Sequence, residues 1–200
     1  MSELSELDAQ IRSCTRCPLF QGRTRAVPGE GPEVARLMFI GEAPGFHEDR
    51  SGRPFVGAAG KFLEELLASI HMQREDVYIA NVIKCRPPGN REPQPDEIEA
   101  CRPYLDRQIE LVRPRVVVTL GRFSMERYFP GAKISAIHGR PRKIGSVVYY
   151  PMYHPAAALH QPALRQIVEA DMLKIPRLLA EAEPVQEVQE PQDIEQLSLF

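Results

Sequence analysis

Residues 36–45 read RLMFIGEAPG: an arginine and four apolar side chains that run straight into a loop of two glycines, an acid and a proline. A short apolar run bounded by turn residues is the pattern of a strand buried on both faces, as in parallel sheets covered by helices. The segments that follow repeat the theme. GAAGKFLEELLASI (57–70) sets Phe62, Leu63, Leu66, Leu67 and Ile70 on one helical stripe. DVYIANVIK (76–84) is a second strand, and residues 95–112 form a second helix whose acidic first turn suits the helix dipole. Pro103 predicts a kink or break in that helix near Cys101. RVVVTLG (115–121) is a third strand, RFSMERYF (122–129) a short helix, VVYYPMY (147–153) a fourth strand and residues 163–179 a last helix. The alternation predicts an α/β protein, a three-layer α/β/α sandwich around a central four-stranded parallel sheet. Ligands of such sheets bind beyond the carboxyl ends of the strands, which directs attention to GEAPG, ANVIKCRPPGN, TLGR and YHPAAALH.

The chain has 200 residues, 43% of them hydrophobic, enough for one substantial core. The opening MSELSELDAQIRS lacks an apolar leader core, and no stretch approaches the roughly 18 uninterrupted apolar residues of a membrane span, so the expected location is cytoplasmic, near the nucleoid, with no membrane partner. Six of the 27 acidic residues fall after residue 179 while all 25 basic residues precede it, which leaves the body formally at +4. A mildly basic body is compatible with nucleic acid. Residues 1–179 are therefore read as the folded domain, and residues 180–200, acidic and rich in glutamine, as a disordered tail that ends in QLSLF.

Four cysteines, Cys14, Cys17, Cys85 and Cys101, include one C-x2-C pair. In a reducing compartment they indicate a metal or cluster site first and a redox pair second, and on spacing alone zinc and an iron–sulfur cluster both remain open. Glu42 offers a carboxylate in the GEAPG loop, and His154 stands at the end of the fourth strand, ahead of Pro155. Asn81 lies in an apolar strand, where an amide is costly without partners. Lys84, Arg86, Arg91, Arg140, Arg142 and Lys143 are cations suited to phosphates.

Taken together, GEAPGFHEDRSGRPFVGAAGKFL (41–63), NVIKCRPPGNREP (81–93), YHPAA (153–157) and CTRCPL (14–19) resemble the family 4 uracil-DNA glycosylases, the iron–sulfur branch of that superfamily, with all four landmarks in the expected order. The resemblance covers residues 13–179. It implies an enzyme that flips uracil out of DNA and hydrolyses its N-glycosidic bond, leaving an abasic site. It implies that Phe55 stacks on the base, that Asn81 reads its N3–H and O4, and that His154 donates to O2 as charge develops on the leaving uracil. Gly41, Glu42 and Ala43 would help to form the pocket, and Glu42, with Glu48 as a second candidate, would orient water or stabilise the sugar cation. One departure concerns Phe46 and His47, which stand where the family often has acids.

The same resemblance implies that Cys14, Cys17, Cys85 and Cys101 ligate a [4Fe–4S] cluster. After His154, Leu159 or His160 would wedge into the gap left by the flipped base. QLSLF resembles the peptide by which bacterial repair proteins dock on the β-type DNA polymerase sliding clamp, with Gln196, Leu197, Leu199 and Phe200 as anchors. A monomer is expected. Two alternatives are a self-crosslinking relative, in which His138 would be the reactive histidine, and a non-catalytic iron–sulfur protein that binds uracil-containing DNA.

Overall fold

A computed structural model describes residues 2–159 and 161–182. In chain order the elements are α1 (Glu3–Ser13), β1 (Leu37–Gly41), α2 (Phe46–Ser51), α3 (Ala58–Ser69), β2 (Tyr78–Asn81), α4 (Pro95–Val112), β3 (Val116–Leu120), α5 (Arg122–Glu126), α6 (Ile134–Ile137), β4 (Arg142–Ile144), β5 (Val147–Met152), α7 (Pro155–Ala158), α8 (Pro162–Met172) and α9 (Ile175–Glu181). The strands form one sheet in the order β2-β1-β3-β5-β4. β2, β1, β3 and β5 are mutually parallel, as expected, and the short β4 adds an antiparallel fifth strand at the edge. It joins β5 through a tight turn in which Gly145 adopts φ 60°, a conformation that favours glycine.

Strand alternation sorts the core into two layers. Along β1, Leu37 and Phe39 face a cluster built by Phe62, Leu63 and Leu67 of α3 and Val168 and Met172 of α8. Met38 and Ile40 face the opposite cluster, made by Leu4, Leu7 and Ile11 of α1 and Tyr104 and Leu105 of α4. With helices on both faces every residue of β1, β2 and β3 is buried, which is why these strands read as continuous apolar runs.

Two sequence expectations change. Helix α4 runs unbroken from Pro95 to Val112 with Pro103 inside it; side chains of its inner face, Cys101, Tyr104, Leu105 and Val112, are buried on both sides of the proline and hold the helix in line. The last helix is interrupted at Leu173 and Lys174, so α8 and α9 are separate, with Pro176 in the first turn of the second, where proline is tolerated. Among the described residues, no helix is long and apolar enough to cross a membrane.

Candidate active site and cysteine cavity

Chain order reverses around β1: β2 lies on one side of it and β3 on the other, so the crevice at their carboxyl ends is the expected ligand site. Gly41 ends β1 and is paired in register with Asn81, the last residue of β2. A Cβ at Gly41 would lie 2.4 Å from Asn81 Oδ1 and 2.6 Å from the Phe55 ring. Only a residue without a side chain lets an amide and an aromatic ring approach this point together. Asn81 is 2% exposed, and its Oδ1 has no hydrogen-bond partner among the described residues. A buried amide oxygen left unpaired costs about 1–3 kcal/mol, so the fold holds it in readiness for a donor.

The Phe55 and His154 rings stack with centroids 5.5 Å apart and planes 24° apart. Phe55 adopts φ 53°, a left-handed conformation that costs a bulky residue on the order of 1 kcal/mol or more. It is held there by the buried Arg74, whose Nη1 donates to the Phe55 carbonyl at 2.9 Å and whose Nη2 donates to that of Pro54. Arg74 Nε donates to Glu30 Oε1 at 3.0 Å, and Glu30 also receives Arg53 through two bonds of 2.7 Å. Helix α3 closes on the same loop at Gly60, where a Cβ would sit 1.8 Å from the Phe55 carbonyl oxygen. This clamp escaped the sequence reading, because Glu30 and Arg74 are 44 positions apart and neither lies in a motif.

His154 follows β5 and caps α7. Its Nδ1 accepts a hydrogen bond from the Ala156 N–H at 3.1 Å, which leaves Nε2 to carry the ring proton of the neutral form. Burial pushes its pKa down to about 4, against a smaller opposing pull from Glu48. A neutral imidazole that donates through Nε2 is therefore the resting species. Glu42 is half-buried, and its carboxyl makes no hydrogen bond among the described residues. Burial, and then the Glu92 carboxylate, raise its pKa while Arg122 opposes them.

Glu48 behaves differently from Glu42. Its Oε2 accepts from the Gly45 N–H at 3.1 Å and its Oε1 from Val56 and Gly57 N–H at 2.9 Å each. Both oxygens are committed to tying the GEAPG loop to the Phe55 loop, so Glu48 holds the site together rather than offering a free base. Ala43 is half-buried against the core. Leu159 is 37% exposed beyond α7, whereas His160 lies outside the described residues, as do Gln196, Leu197, Leu199 and Phe200. His138 is engaged by the buried Asp171, Nδ1 to Oδ2 at 2.7 Å, in a pair that also holds Lys174.

Two of the cations assigned to phosphates are committed elsewhere. Lys84 is 1% exposed, and its Nζ donates to the Asn81 carbonyl at 2.7 Å and to Gln108 Oε1 at 2.6 Å. Arg91 forms a two-pronged pair with Glu97. Arg86, Arg140, Arg142 and Lys143 are not buried.

The four cysteines are all free thiols. Cys14 caps α1, Cys17 precedes the turn Pro18–Gln21, Cys85 follows β2 and Cys101 lies in α4. They line one small cavity of about 10 Å³ together with Ile11, Phe20, Lys84 and Tyr104. Among the described residues no group of three or more His, Cys, Asp or Glu is arranged to hold a metal ion. All four cysteines nonetheless line that one space, and Arg23 Nη1 donates to Cys85 Sγ at 3.2 Å.

The carboxyl end of this open α/β sheet brings an amide, an aromatic ring and an imidazole together around Gly41. The model of the uracil DNA glycosylase superfamily matches residues 28–174. The chain is 48% identical over 188 residues to a type-4 uracil-DNA glycosylase of Sulfurisphaera tokodaii (89% of this chain, 86% of that protein). It is 47% identical over 193 residues to one of Archaeoglobus fulgidus (92% and 97%) and 44% identical over 178 residues to one of Thermotoga maritima (86% and 93%). The chain belongs to the uracil-DNA glycosylase superfamily.

Proposed function

We propose that this chain is a DNA-repair enzyme that excises uracil from DNA by hydrolysing the N-glycosidic bond. The observation that carries the reading is the unpartnered, buried Oδ1 of Asn81 beside the Phe55 ring and a neutral His154. Uracil offers an N3–H donor with carbonyl acceptors on either side, so Asn81 accepts from N3–H through Oδ1 and donates to O4 through its amide. Cytosine presents the reverse pattern at these positions and would leave buried groups unpaired, at about 1–3 kcal/mol each. Phe55 supplies the stacking face.

As the glycosidic bond breaks, its electrons pass to the uracil ring and positive charge grows on the sugar. His154, already a donor at Nε2, stabilises the developing oxyanion at O2 without first having to lose or gain a proton. Glu42 is the acid with a free carboxylate, and it orients the attacking water or faces the sugar cation. Gly41 and Ala43 shape the pocket, and Leu159, with His160, would fill the space the base vacates.

The test is release of abasic sites from a uracil-containing oligonucleotide. Wild type produces them, and Asn81→Ala reduces the rate on the order of 100-fold. Binding without release by wild type would overturn the reading.

What supports a [4Fe–4S] cluster held by Cys14, Cys17, Cys85 and Cys101 is that four cysteines from three separate segments line one space, and thiolates are the donors such clusters require. When bound, the cluster would cross-link these segments. QLSLF, at residues 196–200, supports docking on the bacterial β-type sliding clamp. Deletion of these residues should abolish capture by immobilised clamp and leave uracil release from short oligonucleotides intact.

A further inference from the structure

Helix α2 begins with Phe46 immediately after the GEAPG loop. Its ring is 45% exposed, whereas among the described phenylalanines only Phe20 is also exposed. Exposing an aromatic ring forgoes the stabilisation that burial gives it, yet this one is rigidly placed. Its neighbour Gly45 is bonded to Glu48 Oε2, and the other oxygen of that carboxylate holds Val56 and Gly57, the two residues that follow Phe55. Phe46 is thereby tied in position to the Phe55 loop.

The ring's neighbours are cations and one edge-on imidazole. The Arg86 guanidinium carbon is 5.1 Å from the ring centroid and that of Arg50 is 5.6 Å away. His47 meets it at 5.5 Å with planes 82° apart. Arg86 is fixed by its Nε bond to Asn90 Oδ1 at 2.6 Å. Arg50 makes no ion pair or hydrogen bond to another described residue through its side chain, so it can swing aside or toward a phosphate. A half-exposed ring with guanidinium groups over it, one of them unpaired among the described residues and able to give up its place, suits one class of ligand: a nucleobase that stacks where Arg50 now lies while Arg50 and Arg86 meet the flanking phosphates.

We propose that Phe46, with Arg50 and Arg86, is a stacking platform for the DNA base next to the flipped uracil. The proposal rests on the glycosylase reading. Flipping a nucleotide removes one stacking partner from its neighbour, at a cost in free energy. A ring that covers the orphaned face offsets part of that cost and favours the flipped state.

The experiment measures Kd by fluorescence anisotropy on a single-stranded oligonucleotide carrying non-hydrolysable 2′-fluoro-2′-deoxyuridine. Two companions replace the base on the 5′ or the 3′ side of the uracil by an abasic spacer. On the intact strand Phe46→Ala should weaken binding about ten-fold, and Phe46→Trp should retain it. On the strand lacking the contacted base, wild type should weaken by the same factor and Phe46→Ala should match wild type. Equal binding by wild type and Phe46→Ala on the intact strand, or an equal penalty on all three strands, overturns the platform. Should Phe46→Ala lose its native circular dichroism, Phe46→Leu, which keeps bulk but has no π-face, takes its place and is held to the same comparison. Uracil release from an ordinary oligonucleotide is scored separately: no release by wild type refutes the glycosylase reading, while release together with an unaffected Phe46→Ala refutes the platform alone.

Discussion

A methyl group at Gly41 is enough to close the candidate site. Gly41 has no left-handed backbone, so alanine is compatible with β1, but its Cβ would lie 2.4 Å from Asn81 Oδ1 and 2.6 Å from Phe55. Gly41→Ala should therefore keep the fold at reduced stability, push the Asn81 amide and the Phe55 ring out of place, and lose on the order of 100-fold in kcat/KM, since displacements of about 1 Å at reacting groups cost that much. Circular dichroism and abasic-site kinetics together check both halves. His154 gives a second residue-scale prediction. Its pKa falls from 6.5 to about 4 on folding, so between these values the unfolded chain binds the proton that the native imidazole refuses. Stability from this residue is complete above pH 6.5 and declines as pH falls toward 4. The imidazole resonances should titrate near pH 4 by NMR, and His154→Gln should flatten the dependence of stability on pH in that window. A midpoint near 6.5 would show that the ring is not desolvated. Asn81, His154 and Glu42 were legible because a polar residue at a strand's carboxyl end in this architecture has few structural reasons to be there. The commitment of Glu48 to three backbone N–H groups was not, because it depends on a loop folding back over nine positions.

At the scale of elements, strong periodicity carried the fold. The apolar runs became β1, β2, β3 and β5, and the stripe from Phe62 to Ile70 became the buried face of α3. β4 was missed because it is three exposed residues, with neither alternation nor apolar content to mark it. Helix α1 carries a signal that went unread: Leu4, Leu7 and Ile11 at helical spacing behind a Ser2 N-cap. Lys84 shows why the direction of a side chain at a strand exit escapes sequence. It looked like a phosphate ligand and instead points inward, joining the end of β2 to Gln108 of α4, whose amide donates in turn to the Pro28 carbonyl and the Tyr78 hydroxyl. Burial pushes the Lys84 pKa down to about 8, yet either protonation state can donate to these acceptors. Lys84→Met keeps the volume and orphans two buried oxygens, so it should destabilise by about 2 to 4 kcal/mol, read from urea denaturation. It should also slow uracil release, since the Asn81 backbone loses its tether. A change below about 0.5 kcal/mol would mean that water replaces the amine.

On the scale of the whole molecule, the cysteine cavity joins segments that the sheet alone does not hold. Helix α1 and the turn Pro18–Gln21 precede the first strand, and the proposed cluster would anchor them through Cys14 and Cys17 to Cys85 at the exit of β2 and Cys101 in α4. Cross-linking positions so far apart in sequence removes loop-closure entropy from the unfolded chain, and the benefit grows with the length enclosed. Anaerobically purified protein should accordingly carry about four iron atoms per chain, with the broad visible absorption of a cluster. Cys85→Ser should lose the iron. Its buried Leu4, Leu7 and Ile11 still contact the core, so the N-terminal segment should loosen rather than unfold the domain. Limited proteolysis then has a defined pattern: cleavage within residues 14–25 of the variant, ahead of a resistant body that begins near Val27, which is buried and bonded to Lys84. Because Asn81 lies four positions before Cys85 on the same strand exit, loosening at the cavity reaches the base-reading amide, and uracil release should decline in parallel with iron content across partially loaded samples. Full activity in iron-free protein, or an uncut N-terminal segment in Cys85→Ser, would show that the cavity holds these segments without a cluster.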